Sequence, residues 1–129
     1  IVPVDSWTEE VIPRIFPHLE GRFGGCKLNV PVPEASCVDL VTTLRTDVKV
    51  GEVNEVFRSA SGSVSKGILD YTEEPIVSSD VADSPFSCTF DSLATMTVQG
   101  KMVRTLGWYS QGGGLAHRLV EVLRELVPK

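Results

Sequence analysis

Nucleophilic chemistry in this 129-residue sequence depends on its three cysteines and two histidines. Cys26, Cys37 and Cys88 form no CxxC pair, and neither histidine lies at the spacing of a zinc-ligand set. A thiolate nucleophile needs a base or a positive charge beside it. Cys37 has no histidine near it in the sequence, so a site that joins it to His18 or His117 is disfavoured. No catalytic residue and no metal site are therefore predicted.

Acidic side chains offer no better-defined site. Asp80, Asp83 and Asp91 are scattered through a stretch that also holds serines and a proline. Aspartate in such sequence commonly forms turns by hydrogen bonding to nearby backbone. We interpret all three as turn formers rather than metal ligands.

The elements that would position any site begin with a helix. Ser6 and Glu9 have the spacing of a capping box, which predicts that a helix begins just after Ser6. Pro13 removes a backbone donor and should bend or split that helix. From Cys26 to Pro33 apolar residues alternate with polar residues and prolines, which predicts a half-buried strand at an edge position.

The middle of the chain continues with a strand and a helix. Val38 to Arg45 is rich in valine and threonine, which favours a second strand. Helical spacing then puts Val53, Val56, Phe57 and Ala60 on one apolar face. Short strands are predicted at residues 68–71 and 76–77, and a loop at residues 81–87.

The last third predicts a hairpin and a helix. Leu93 to Val98 and Met102 to Trp108 read as two strands closed by a turn at Gln99-Gly100. Three glycines precede a final helix, which has one apolar stripe and a solvated side that includes Arg118. The stripe consists of Leu115, Leu119, Val122, Leu123 and Leu126.

The order of elements favours an α+β fold, with helices packed on one face of a largely antiparallel, mixed sheet. The sequence shows no repeat or linker, so residues 1–129 are predicted to form a single domain. The net charge of −5, without a basic cluster, argues against nucleic-acid binding. No apolar run is long enough for a membrane helix. The sparse cysteines indicate reduced thiols in a cytoplasmic protein.

Several blocks of sequence, in one collinear order, resemble the catalytic domain of glyceraldehyde-3-phosphate dehydrogenase. Residues 30–33 and 38–40 are similar to two adjoining strands of that family, and further similar blocks follow at residues 66–73, 77–80, 90–91 and 108–109. The order and spacing of these blocks identify the chain as similar to the C-terminal part of that catalytic domain. Because the chain starts at Ile1 rather than methionine, we expect it to be a piece of a longer protein.

The resemblance implies an oxidoreductase that converts an aldehyde to an acyl phosphate with NAD or NADP. In the family a cysteine thiolate, assisted by a histidine, attacks the aldehyde before hydride passes to the cofactor. The matching segment would precede Ile1, and no G-x-G-x-x-G motif follows a predicted strand. The chain alone is therefore expected to bind no cofactor and to be inactive.

Four positions correspond to family contact points, each with an altered residue. Ser6 and Trp7 stand where the family has a threonine-glycine phosphate-binding pair, and Ser6 has a helix-cap role as its simpler alternative. Asn29 replaces the substrate-phosphate arginine, so it keeps an amide donor but loses the charge. Gln111 replaces the asparagine that holds the nicotinamide carboxamide. An equally supported interpretation is that Gln111 is a turn residue, followed by glycines that would hold it loosely.

Two functions from different classes remain open. The chain is either part of an active dehydrogenase or a non-catalytic descendant that is kept for binding or assembly. Both predict partners, namely a cofactor-binding domain or other subunits of the parent. The apolar stripe of the final helix also predicts a homo-oligomer, because an exposed patch of that size normally contacts another surface.

Overall fold

The computed structural model describes residues 1–127, which fall into two compact units, Ile1–Pro33 and the part from Glu34 onward. The first unit holds β1 (Val2–Val4), α1 (Thr8–Ile15) and β2 (Lys27–Asn29). The second holds β3 (Ser36–Thr43), α2 (Val50–Gly62), β4 (Leu69–Thr72), β5 (Cys88–Val98), β6 (Met102–Tyr109) and α3 (Gly113–Leu126). The predicted α+β class is confirmed.

The first unit is built on a two-stranded antiparallel ribbon in which Val2 pairs with Asn29 and Val4 pairs with Lys27. The sequence did not predict β1, and β2 is shorter than the predicted strand because proline cannot donate to a ladder. The prediction of a half-buried strand is wrong, since Leu28 is 55% exposed. A two-stranded ribbon has too little area to cover its own apolar faces.

The second unit is a four-stranded sheet in the order β3-β6-β5-β4, with β4 and β5 parallel and the other pairs antiparallel. The predicted hairpin is confirmed, and its turn places Gln99 and Gly100 at φ of 50° and 73°. The strand predicted at residues 76–77 is wrong. That segment leads into a 3₁₀ turn, Ser78–Val81, where Asp80 Oδ2 accepts a hydrogen bond from the Val77 N–H at 2.7 Å.

Helix α2 covers one face of this sheet through aromatic stacking. The rings of Phe57 and Phe90 lie 3.9 Å apart and nearly parallel, and Tyr71 stacks on Phe90 at 5.8 Å. The predicted apolar face is wrong at Val56, which is 68% exposed. Asn54 is half-buried instead, and its Nδ2 donates to the Ser92 carbonyl oxygen at 3.1 Å.

Asp91 lies in β5 rather than in a turn, although its carboxylate does accept hydrogen bonds from nearby backbone, as predicted for a turn former. The β5–β6 register shifts between Asp91 and Met96. Asp91 is 7% exposed, and its carboxylate accepts hydrogen bonds from the Leu93 N–H, the Ala94 N–H and Trp108 Nε1 at 3.1–3.3 Å. A bulge interrupts ladder pairing, so a buried carboxylate is a suitable acceptor for the freed donors.

We predict that Phe90→Ala destabilises the chain by about 3–5 kcal/mol, because Phe90 is 2% exposed and stacked on both sides. Leu93→Ala, on the same strand but 60% exposed, should cost far less. Urea denaturation of both variants measures the difference. Equal losses would contradict this description of the core.

Candidate functional site

Ser6 and Trp7 lie at the start of α1, as predicted, but not in a capping box. The Ser6 hydroxyl contacts the Thr8 hydroxyl at 2.7 Å, and Trp7 is the N-cap residue, with a carbonyl oxygen that accepts from the Glu10 and Val11 N–H groups. Glu9 does not reach back to the cap. Its carboxylate accepts from the Gly25 N–H at 3.2 Å, which ties α1 to the approach to β2.

The surroundings of Ser6 are poor for binding an anion. Asp5 precedes it, and Glu9 and Glu10 lie in the first turn of α1. These carboxylates complement the positive end of the helix dipole and would repel a phosphate there. The Trp7 side chain is 72% exposed and adds bulk at the same end of the helix.

Asn29 is exposed at the end of β2 and lies opposite Val2. Ser6 follows the Val4 end of β1, so the register places Asn29 at one end of the short ladder and Ser6 beyond the other end. In the described part of the chain, no side-chain hydrogen bond joins these two residues. The structure therefore does not bring Asn29 together with Ser6 and Trp7.

Gln111 lies in the connection between β6 and α3, and its side chain is exposed. The preceding residue, Ser110, is only 8% exposed, and its hydroxyl accepts a hydrogen bond from the Gly113 N–H at 3.3 Å. The following glycines do not form a loose run. Gly113 and Gly114 are the first two residues of α3, and Gly114 is buried. An amide side chain is thus presented to solvent from a backbone that is held on both sides.

Arg118 is the residue that sequence reasoning missed. We interpreted it as solvated, but only 22% of its side chain is exposed, and its guanidinium donates to the Gly67 carbonyl oxygen at 3.0 Å. The available signal was its spacing, because Gly114 lies four residues earlier on the same face of the helix. A glycine in a helix commonly marks a close packing contact.

A cavity of about 440 Å³ lies beside β4, between that strand and residues 76–89. Its lining includes three acidic residues, Asp70, Asp80 and Asp83, so it is unsuited to a phosphate. Among residues 1–127, no group of three or more histidine, cysteine, aspartate or glutamate side chains is arranged to hold a metal ion.

The cysteines differ in exposure. Cys26 and Cys37 are exposed, whereas Cys88 is partly buried, with its Sγ against the Gly107 backbone. Burial raises the pKa of the Cys88 thiol. Cys88 is therefore less suited than an exposed thiol to act as a nucleophile at neutral pH.

Comparison with known proteins identifies the family. The family model described as "Glyceraldehyde 3-phosphate dehydrogenase, C-terminal domain" matches residues 1–111. The chain belongs to the glyceraldehyde-3-phosphate dehydrogenase family. This confirms the resemblance found in the sequence, and the chain matches the C-terminal part of the family's catalytic domain.

Curated relatives extend the similarity through α3. Glyceraldehyde-3-phosphate dehydrogenase 2 of Bacillus subtilis is 39% identical over 129 residues, which are 100% of this chain and 38% of the relative. The enzyme of Geobacillus stearothermophilus gives the same identity, aligned length and coverage of both chains. That of Streptomyces coelicolor is 43% identical over 123 residues, which are 95% of this chain and 37% of the relative. The chain thus spans under two-fifths of the length of these relatives.

Membership of the family leaves the roles of Ser6, Trp7, Asn29 and Gln111 as predictions. That they stand at family contact points, each with an altered side chain, is what the resemblance implies. As for a membrane location, no helix within residues 1–127 combines the length and the apolar character needed to cross a bilayer.

We predict that iodoacetamide labels Cys88 more slowly than Cys26 and Cys37 near pH 8. A raised thiol pKa leaves less thiolate at a given pH, and burial restricts access. Peptide mapping by mass spectrometry after timed labelling measures the three rates, and labelling in urea is the control in which they should converge. Equal rates in the folded chain would contradict the raised pKa.

Proposed function

We propose that this chain is part of a phosphorylating dehydrogenase that oxidises an aldehyde to an acyl phosphate with NAD or NADP. The observation that carries the proposal is the family match over residues 1–111. In this proposal the nucleophilic cysteine, its histidine and the dinucleotide-binding fold belong to the parent protein outside these residues. The chain by itself supplies scaffold and is inactive.

Gln111 is the residue of this chain that we propose to touch the cofactor. Its exposed amide can both donate to and accept from a carboxamide, as the family's asparagine does. The side chain is one methylene longer than asparagine, but the well-held backbone limits how far its amide can move. NAD and NADP both carry the carboxamide, so this contact does not choose between them.

The phosphate contacts are weaker candidates. Ser6 retains a hydroxyl donor, but the carboxylates around it oppose an anion. Asn29 can donate only neutral hydrogen bonds where the family's guanidinium would make a charge-assisted, bidentate contact. We therefore propose that the parent binds a triose phosphate weakly, or prefers an aldehyde that needs less charge compensation.

We predict that the isolated chain reduces neither NAD nor NADP in the presence of glyceraldehyde-3-phosphate and phosphate. The expected rate equals that of a heat-inactivated sample, because the chain lacks a base-assisted nucleophile. Absorbance of the reduced nicotinamide measures the reaction. Turnover clearly above the control would contradict the assignment of the chemistry to other residues of the parent.

The alternative is a non-catalytic descendant of the family that serves binding or assembly. The exposed Trp7 and the uncharged Asn29 favour it, since both fall at family contact points for phosphate. Loss of selection for activity would explain changes concentrated at such positions.

The variant Asn29→Arg separates these two functions in the complete parent protein. If the parent is an active but weakened dehydrogenase, Asn29→Arg should raise kcat/KM for the triose phosphate about tenfold or more. That increase corresponds to the free energy of one hydrogen bond from a charged donor. Asn29→Gln, which restores no charge, is the matched control. If the parent is already robustly active and Asn29→Arg changes nothing, the non-catalytic alternative loses its support.

The large exposed apolar surface of this chain favours the proposal that other protein surfaces bind to it. Among the described residues, the buried apolar side chains are only Val81, Phe90 and Val103. The chain exposes 9663 Å², whereas roughly 6,700 Å² is expected for one folded body of this mass and roughly 7,900 Å² for two separate units. The excess is larger than the roughly 800 Å² per partner that a stable interface buries. We propose that the cofactor-binding part of the parent, or further copies of the chain, cover it.

We predict that the isolated chain self-associates through the α3 stripe, whose members Leu119 and Leu123 are 56% and 61% exposed. The double change Leu119→Glu and Leu123→Glu should shift the population toward monomer, because it places charge in an apolar contact. Val64→Glu, at an exposed site outside α3, is the control. A strictly monomeric chain at high micromolar concentration in sedimentation would contradict this proposal.

A further inference from the structure

The first turn of α3 approaches the backbone of residues 83–87 more closely than any side chain would allow. A Cβ added at Gly113 would lie 2.6 Å from the Ser84 carbonyl oxygen, and one added at Gly114 would lie 2.5 Å from the Phe86 carbonyl oxygen. Both obstacles are backbone atoms, which cannot rotate away as a flexible side chain would. Glycine at these two positions is therefore required by packing rather than by flexibility.

Arg118 holds the next turn of α3 to the same region. Its guanidinium donates to the Gly67 carbonyl oxygen at 3.0 Å, to the Ser87 hydroxyl at 3.5 Å and to Glu121 at 2.6 Å. Gly67 directly precedes Ile68 and β4, and Ser87 directly precedes β5. The cation therefore links α3 to the start of two neighbouring strands, and charged donors form the stronger hydrogen bonds.

These contacts hold the connection that carries Gln111 from both sides. On one side Ser110 is buried at the end of β6, and its hydroxyl accepts from the Gly113 N–H. On the other side, Gly113, Gly114 and Arg118 fix the start of α3. Only Gln111 and Gly112 lie between, and both are exposed. Two residues between fixed ends have little freedom to move.

We propose that Gly113, Gly114 and Arg118, the α3 anchor, are positioning residues that set where Gln111 presents its amide to the nicotinamide cofactor. This inference rests on the proposed function, since it takes Gln111 as the cofactor contact. The anchor residues themselves do not touch the cofactor. They act by fixing the backbone at Gln111, whose side chain contacts the cofactor.

The first test is backbone hydrogen exchange at residues 110–116 of the chain. Gly114→Ala and Arg118→Ala should each accelerate exchange there about tenfold or more. The first forces a Cβ against the Phe86 carbonyl oxygen, and the second removes the hydrogen bonds to Gly67 and Ser87. The chain offers two matched controls. Gly112 has no atom within 4 Å of an added Cβ, so Gly112→Ala should leave exchange unchanged. Arg124→Ala, at an exposed site on the same helix, should do likewise.

The second test uses the complete parent protein and compares KM for the cofactor with KM for the aldehyde. Gln111→Ala, Gly114→Ala and Arg118→Ala should raise KM for the cofactor about tenfold or more. They should change KM for the aldehyde much less. A general loss of folded protein would lower the maximal rate without raising KM for the cofactor selectively. Arg118→Lys keeps the charge but loses the planar fork, so it should restore the cofactor KM in part.

The outcomes separate the two proposals. If Gln111→Ala raises the cofactor KM while Gly114→Ala and Arg118→Ala change neither exchange nor KM, the anchor is wrong and the cofactor contact stands. If Gln111→Ala leaves the cofactor KM unchanged, the cofactor contact itself is wrong, whatever the exchange rates. Should Gly114→Ala fail to fold, Arg118→Ala and Arg118→Lys decide the same comparison, because neither adds an atom to the close backbone contact.

Discussion

The alternation of side chains along β5 is the constraint on which the second unit depends. Phe90 and Asp91 are neighbours, and successive residues of a strand point to opposite faces of the sheet. Phe90 stacks with α2 on one face, whereas Asp91 accepts the Trp108 indole N–H and the backbone donors of the bulge on the other. One dipeptide thus supplies both the apolar contact that holds the helix and the polar contact that stabilises an interrupted ladder.

Electrostatic contacts across the sheet add to this arrangement at its edge. Arg104 on β6 donates two hydrogen bonds to the Asp39 carboxylate on β3, at 2.8 and 2.9 Å, and these bonds raise the pKa of the guanidinium. Arg58 on α2 similarly pairs with Glu73 just after β4 and lies over the Tyr71 ring. Both pairs are substantially exposed, so they select register and orientation more than they add stability.

The site residues follow a different physical rule from the core. Ser6, Trp7, Asn29 and Gln111, the candidate contact residues, lie at the end of a strand or just before a helix. Trp7, Asn29 and Gln111 are exposed there and Ser6 is half-buried. The contacts behind Gln111 are the exception, because they are made by backbone atoms and a half-buried cation. Gly113 and Gly114, which the sequence predicts to be loosely held, therefore form a close backbone contact at the start of α3. The apolar stripe further along α3 remains exposed.

Local periodicity and collinear motifs are enough to predict the family, the α+β class, the hairpin and the presence of α2 and α3. They do not predict the helix bounds, since α2 begins at Val50 and α3 begins within the glycine run at Gly113. Residue patterns could not show that Asn54 rather than Val56 faces β5, that Asp91 is buried beside a bulge, or that Arg118 joins α3 to two strands. The capping box at Ser6 failed for the same reason, since Glu9 found a partner sixteen residues away at Gly25. Only the tertiary structure decides such contacts, because hydrogen bonding and burial depend on which distant backbone groups are brought within reach.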